Sequence, residues 1–91
     1  MRLRWTVPAA NDLYNIVQHI RQNSPDAASD VATTLYEGCG GLAKFPHLGR
    51  KGRIERTREL VFAGLPYIVV YRVLDEVVEL LRIYHGAQDW P

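Results

Sequence analysis

The sequence predicts an α+β domain: an N-terminal strand, an antiparallel helix hairpin and a three-stranded antiparallel meander, with the helices packed on one sheet face. Three observations predict it. Apolar residues recur at helical spacing between Leu13 and Leu42. "NSPDAA" at 23–28 interrupts that spacing with residues that stop one helix and start another. Beyond residue 57 the pattern changes to β-branched and aromatic runs divided by turn segments.

The first element is "RLRWT" at 2–6, which alternates in polarity and is bounded by Pro8, so it reads as a short strand. Leu13, Ile16, Val17 and Ile20 then follow the i, i+3, i+4, i+7 rule of an amphipathic helix, and Pro8 suits its first turn. Ser24 can cap a second helix, Pro25 fits its first position, and Asp26 complements the positive end of its dipole. Ala28, Val31, Leu35, Cys39 and Leu42 form the apolar stripe of that helix. The joint at 22–25 is short, so the two helices should run antiparallel. Burial is expected for Leu13, Ile16, Ile20, Val31 and Leu35, and Cys39 is expected to be inert core. "GCGG" at 38–41 has three readings, because each helical glycine costs about 0.5–1 kcal/mol against alanine. It marks close packing on the sheet, a hinge, or an early helix end.

Three strands follow: "RELVFAG", "LPYIVVYRVL" and "VVELLRIYH". Asp75-Glu76 makes a two-residue turn between the last two. That register sets Leu74, Arg72, Val70 and Ile68 opposite Val77, Glu79, Leu81 and Ile83 on one face. On the other it sets Val73, Tyr71, Val69 and Tyr67 opposite Val78, Leu80, Arg82 and Tyr84. Both faces read as largely apolar. The hairpin can cover only one, which suggests that a partner covers the other.

A 91-residue chain that is 47% hydrophobic supports one domain over residues 1–91. Its single cysteine excludes an internal disulfide and fits a reducing compartment. No apolar run approaches the roughly 18–20 residues of a membrane span, and the N-terminus lacks the features of a signal peptide. A soluble, cytoplasmic protein is expected. No His, Cys, Asp or Glu spacing resembles a metal site and no glycine pattern resembles a phosphate loop, so no cofactor is expected. Charge is unevenly placed. "KFPHLGRKGRIERTREL" at 44–60 holds Lys44, Arg50, Lys51, Arg53, Arg56 and Arg58, more than half of the eleven Lys and Arg, in a chain of net charge +1. Such a cluster is either a solvated loop or a docking surface for an acidic partner.

Trp5 and "DLYNIVQHI" at 12–20, "LAKFPHLGRKGR" at 42–53, "TRELVFAGLPYIVVYRV" at 57–73 and "IYHGAQDWP" at 83–91 together resemble the RelE/ParE superfamily. These are the toxin halves of bacterial type II toxin–antitoxin systems. The resemblance covers essentially the whole chain, and "LPYIVVY" combined with "HGAQDWP" is closest to the ParE-like branch. It implies a toxin that inhibits DNA gyrase and is neutralised by a ParD-like antitoxin wrapped over it. Antitoxin or target binding is then assigned to Arg50, Lys51, Arg53, Arg56, Arg58, His85 and Trp90. The resemblance implies no membrane partner and no sequence-specific DNA binding by the chain alone.

The other branch, RelE-like, consists of ribosome-dependent messenger RNA endonucleases. Cleavage through a 2′-hydroxyl needs a base, an acid for the leaving oxygen and cations on the phosphate. Nucleolytic relatives place an arginine where this chain has Ile68. They also carry a basic residue after the last strand and a terminal tyrosine, where this chain has Gly86, Ala87 and Trp90. Arg58, Arg82, Tyr84 and His85 are what is left of a nuclease set. Each has a plainer reading: His85 as a strand-end hydrogen bonder, Tyr84 as cross-strand packing on Tyr67, Arg58 as the partner of a carboxylate, with His47 as a turn residue. A third reading is a decayed toxin that keeps only antitoxin binding.

Overall fold

Thr6 starts the first helix and fastens it to the sheet. Its Oγ1 accepts the Ala9 N–H at 3.3 Å and donates to the Leu80 carbonyl at 2.7 Å. The computed structural model describes residues 1–88 and Trp90. In chain order it comprises β1 (Arg2–Trp5), α1 (Val7–Arg21), α2 (Pro25–Gly41), β2 (Arg50–Lys51), β3 (Arg58–Val61), β4 (Tyr67–Leu74) and β5 (Val77–His85). Ser24 caps α2 through the Ala27 N–H at 3.2 Å, with Pro25 and Asp26 in its first turn. α1 and α2 form the expected hairpin.

The sheet has five strands in the order β1-β5-β4-β3-β2. β3, β4 and β5 form the expected antiparallel meander. Two features go beyond it. β1 joins the edge of β5 in parallel, from Arg2 opposite Val77 to Trp5 opposite Leu80, so the sheet is mixed. Within the basic stretch, Arg50 and Lys51 form a two-residue strand against Glu59 and Arg58.

The expected register between β4 and β5 holds from Leu74↔Val77 to Tyr71↔Leu80 and then slips by one. Val70 faces Arg82 and Ile68 faces Tyr84, while Tyr67 meets His85 instead of Tyr84. Leu81 is the extra residue of a β-bulge. The physical reason lies in what an unbroken register would bury: Arg82 would stand beside Val69 under the helices, and an unpaired buried guanidinium is costly. The bulge puts Ile83 there instead, 3% exposed, and sends Arg82 to the opposite face.

The core joins Ala9, Cys39 and Leu42 to Leu60, Val69, Tyr71, Val78, Leu80 and Ile83. Among the residues expected to be buried, Leu35 is fully so, whereas Leu13, Ile16, Ile20 and Val31 are half-buried. α1 packs against β5, near the edge of the sheet, and the residue it buries fully is the small Ala9, not the longer residues of the stripe. α2 runs through the glycines to Gly41. A Cβ at Gly38 would lie 2.3 Å from the Phe62 ring, so this glycine permits close packing, while Gly40 and Gly41 face open space. Burial pushes the Cys39 thiol up to about 12, which leaves it protonated and inert.

The second sheet face is not the apolar surface the unbroken register implied. Glu79 there bridges Arg4 at 2.5 Å and Arg72 at 2.6 Å, and Glu59 binds Arg50 at 3.0 Å. Val70, Ile68 and Tyr84 share that face, and the chain's own Trp90 lies over Tyr84. Ion pairs and the C-terminal tail therefore supply part of the cover that the sequence had suggested a partner would provide.

Candidate partner-binding site

The basic stretch divides because strand neighbours point to opposite faces. Arg50 reaches the second face, where its Nε and Nη2 donate to Glu59 Oε1 at 3.1 and 3.0 Å. The other Glu59 oxygen accepts the Arg53 N–H at 3.1 Å, and Glu59 is 2% exposed. The Arg53 guanidinium donates to the Trp90 carbonyl. Arg50 and Arg53 are thus engaged within the fold.

Lys51 and Arg58 lie on the helix-side face. Arg58 Nη1 donates to the Gly49 carbonyl at 2.8 Å, which orients its guanidinium along the end of β3. The loop that carries Gly49 is held in turn by Tyr71, whose hydroxyl donates to Pro46 O and accepts the Gly49 N–H, both at 2.8 Å. Lys51 and Arg56 have no ion-pair or hydrogen-bond partner among the described residues. With Arg58 and Arg72 they line a groove of about 550 Å³ whose other walls are Val73, Leu74, Thr57 and His47. No carboxylate among the described residues lines it. Arg72 and His47 were not singled out as site residues in the sequence, although pairing Arg72 with Glu79 had placed it beside this end of the sheet.

A second concavity, about 370 Å³, lies between α1 and the end of β5. It brings together Arg82, Tyr84, His85 and Trp90, with Asp12 and His19 from α1. Arg58 is not among them; it belongs to the other groove. Trp90 stacks on Tyr84 with ring centres 5.1 Å apart, and the Arg82 Cζ lies 5.6 Å from the Trp90 ring. Arg82 is also held by Asp12 at 2.7 Å, which raises its pKa through that hydrogen bond. The Tyr84 hydroxyl is buried with no hydrogen-bond partner among the described residues. Burial raises its pKa, as does Glu59, against the opposing pull of Arg53 and Arg50. His85 caps the strand end: its Nδ1 accepts the Ala87 N–H at 3.0 Å and its ring meets Tyr67 edge-on. Ile68 stands opposite Tyr84 in the pairing, an aliphatic side chain that cannot donate to a phosphate.

Among the described residues no cluster of three or more His, Cys, Asp or Glu could hold a metal, and no helix is long and apolar enough to cross a membrane.

Comparison with known proteins assigns a family to this small α+β domain, with its helix hairpin on a five-stranded sheet. Residues 3–90 match the family described as "ParE toxin of type II toxin-antitoxin system, parDE". The chain belongs to this family. It is similar to the toxin candidate Y4kP of Sinorhizobium fredii, 43% identical over 90 residues, 99% of this chain and 93% of the relative. It is 39% identical to Toxin RelE2 of Caulobacter vibrioides, over 92% of this chain and 93% of that protein. Among solved structures it resembles a chain of the chromosomal ParDE system of P. aeruginosa, with a TM-score of 0.83 at 27% identity, covering 93% of this chain and 95% of that one. A chain of the Mycobacterium tuberculosis RelBE2 toxin–antitoxin complex follows at a TM-score of 0.60 and 26% identity, covering 92% and 95%. The protein is thus a member of the toxin family of type II toxin–antitoxin systems.

Proposed function

We propose that this toxin acts in the cytoplasm by binding and not by catalysis, with DNA gyrase as its target and a ParD-like antitoxin as its neutraliser. The observation that carries the reading is what has become of the nuclease candidates. Arg82 is tied to Asp12, the Tyr84 hydroxyl is buried and its ring is stacked under Trp90, and Arg58 is held by the Gly49 carbonyl in a separate groove. A phosphate cannot meet all three without rearrangement of the fold. A phenol whose pKa is raised by burial is also a poor general base near neutral pH. Lys51 and Arg56, by contrast, are free to meet an acidic protein surface.

The second reading, a RelE-like ribosome-dependent RNA nuclease, draws on the cavity where His19, His85 and Arg82 converge. Purified toxin with gyrase in a supercoiling assay, run beside a ribosome-bound messenger cleavage assay, separates the two. Inhibited supercoiling that is relieved by the antitoxin supports the binding reading. Codon-specific cuts abolished by His85→Ala overturn it. Failure in both assays with normal growth on induction supports a decayed, antitoxin-binding protein.

A further inference from the structure

We propose that the cavity between α1 and the end of β5 binds a small, uncharged, flat molecule bearing a primary carboxamide or a lactam. Such a site is independent of which target the toxin acts on.

The cavity exists because β1 is short. It covers the edge of β5 only as far as Trp5 opposite Leu80. Beyond the bulge at Leu81 the even residues turn their backbone groups to β4, as Gly86 does in donating its N–H to the Pro66 carbonyl at 2.6 Å. Ile83 and His85 therefore turn their N–H and C=O groups to the open edge. Side chains from two directions cap that edge. Asp12 of α1 accepts the Ile83 N–H at 2.9 Å, and the Gln88 Oε1 of the tail accepts the His85 N–H at 2.6 Å. The Gln88 N–H in turn bonds the His85 carbonyl at 2.8 Å. Between these caps stands the Ile83 carbonyl, and among the described residues no donor is bonded to it. Ile83 is 3% exposed, and backbone acceptors so shielded are nearly always paired.

Asp12 and Gln88 both line the cavity, so the carbonyl between them opens into it. A volume of about 370 Å³ lies in the ordinary range for small-molecule sites. Ile16, Tyr67 and Trp90 supply apolar and aromatic walls, which suit a flat ring. His85 adds a donor: its Nδ1 accepts the Ala87 N–H at 3.0 Å, which leaves the ring proton on Nε2. Charge narrows the choice further. Among the described lining residues Arg82 is the one guanidinium or ammonium and Asp12 the one carboxylate, and the two are paired at 2.7 Å. With those charges matched, the cavity favours a neutral molecule over a phosphate or a nucleic-acid backbone. A carboxamide or lactam fits both demands. Its N–H meets the Ile83 carbonyl, and its oxygen accepts from the donors of the wall.

The test titrates the ¹⁵N,¹³C-labelled full chain with benzamide, beside N,N-dimethylbenzamide and benzoate. Benzamide should give saturable shifts at the Ile83 carbonyl carbon and the Tyr84 N–H, the two sides of one peptide group. Its dissociation constant should be on the order of 1 mM, as befits so small a ligand. N,N-dimethylbenzamide keeps the ring and the oxygen but has no N–H, and should bind about fivefold more weakly. Benzoate, which replaces the donor by a charge, should also bind more weakly. Trp90→Ala removes one wall without touching the Ile83 edge and should weaken benzamide binding, with a thermal melt to check its fold. The probe series on the wild-type chain decides the matter even if that variant unfolds. Equal binding of the dimethylated amide removes the hydrogen bond to Ile83 and overturns the proposal. Tighter binding of benzoate makes the cavity an anion site on Arg82 and overturns it as well. Shifts that do not saturate, or benzamide binding unchanged in a folded Trp90→Ala, show that no such site is present in this cavity. Displacement of benzamide by a short single-stranded RNA also overturns the assignment and makes the cavity a nucleic-acid site.

Discussion

One Asp12 carboxylate oxygen accepts the backbone N–H of Ile83 at 2.9 Å and the Arg82 Nε at 2.7 Å. α1 thereby supplies the partner that β5 lacks where β1 has ended, just after the bulge at Leu81. Thr6 acts on the same segment from the other direction, donating to the Leu80 and Leu81 carbonyls at 2.7 and 3.2 Å. Two side chains from the start of the first helix thus satisfy the backbone that the bulge leaves unpaired, and the bulge places Ile83 in the core.

Asp12→Ala is expected to cost about 1–3 kcal/mol, because the Ile83 N–H then lies half-buried without an acceptor. Arg82→Gln should cost only about 0–1 kcal/mol, since that side chain is 45% exposed and its pair is screened by solvent. Urea denaturation of the two variants checks the order. Equal losses would show that the ion pair, and not the backbone bond, carries the effect.

The glycines of α2 should separate by environment. Gly40→Ala is expected to stabilise by about 0.4–1 kcal/mol, since its Cβ meets nothing within 4 Å and alanine restricts the unfolded chain. Gly38→Ala should destabilise, because its Cβ needs the space of the Phe62 ring. Phe62→Leu in the Gly38→Ala background should recover part of that loss. Thermal melts of these three variants beside wild type measure it.

The helices were legible because their period, caps and the short joint at 22–25 are all local signals, and Ser24, Pro25 and Asp26 act as their residue types require. The antiparallel meander was legible for the same reason, since the Asp75-Glu76 turn fixes its register. The slip at Leu81 was not. A bulge is decided by what lies across the sheet and above it, and only the cost of burying Arg82 beside Val69 hinted at it. The parallel pairing of β1 with β5 joins residues about seventy-five positions apart and leaves no trace in local pattern. In the basic stretch the number of cations was plain, but their division was hidden in a two-residue strand. Reading Arg50 and Glu59 as cross-strand partners would have separated Arg50 and Arg53 from Lys51, Arg56 and Arg58.

Stability should fall in acid through Glu79. Hydrogen bonds from Arg72 and then Arg4 hold its carboxyl below the ordinary range. A group whose folded pKa is depressed contributes stability that is present above the unfolded pKa, about 4.3 for Glu. That stability is lost as pH falls through the lower folded value. Glu79→Gln should therefore be less stable than wild type at neutral pH and show a shallower decline below about pH 4. Parallel declines for the two proteins would remove Glu79 from the account of acid stability.

The tail is where stability and toxicity should part. Trp90 covers Tyr84 by a stack with an interplanar angle of 19° and is held through its carbonyl by Arg53. Aromatic stacking contributes about 0.5–1.5 kcal/mol beyond area burial, and Trp90 is only half-buried. Trp90→Ala is thus expected to cost on the order of 1–2 kcal/mol and to leave the domain folded. Its clearer signature is at Tyr84. Burial is the main reason that this phenol titrates above the ordinary tyrosine range, so uncovering it should lower its pKa. The tyrosine ¹³Cζ resonances of wild type and Trp90→Ala, assigned by Tyr84→Phe, measure that shift directly. The groove at Lys51 and Arg56 does not include Trp90, so antitoxin binding should survive both Trp90→Ala and truncation after His85. Toxicity should be lost in both if the tail faces the target. Arg53→Ala offers an intermediate case: it removes the hold on the carbonyl but keeps the stack, and should weaken toxicity less. Should the truncated chain remain fully toxic, the target meets another surface, and Trp90 serves only to cover Tyr84.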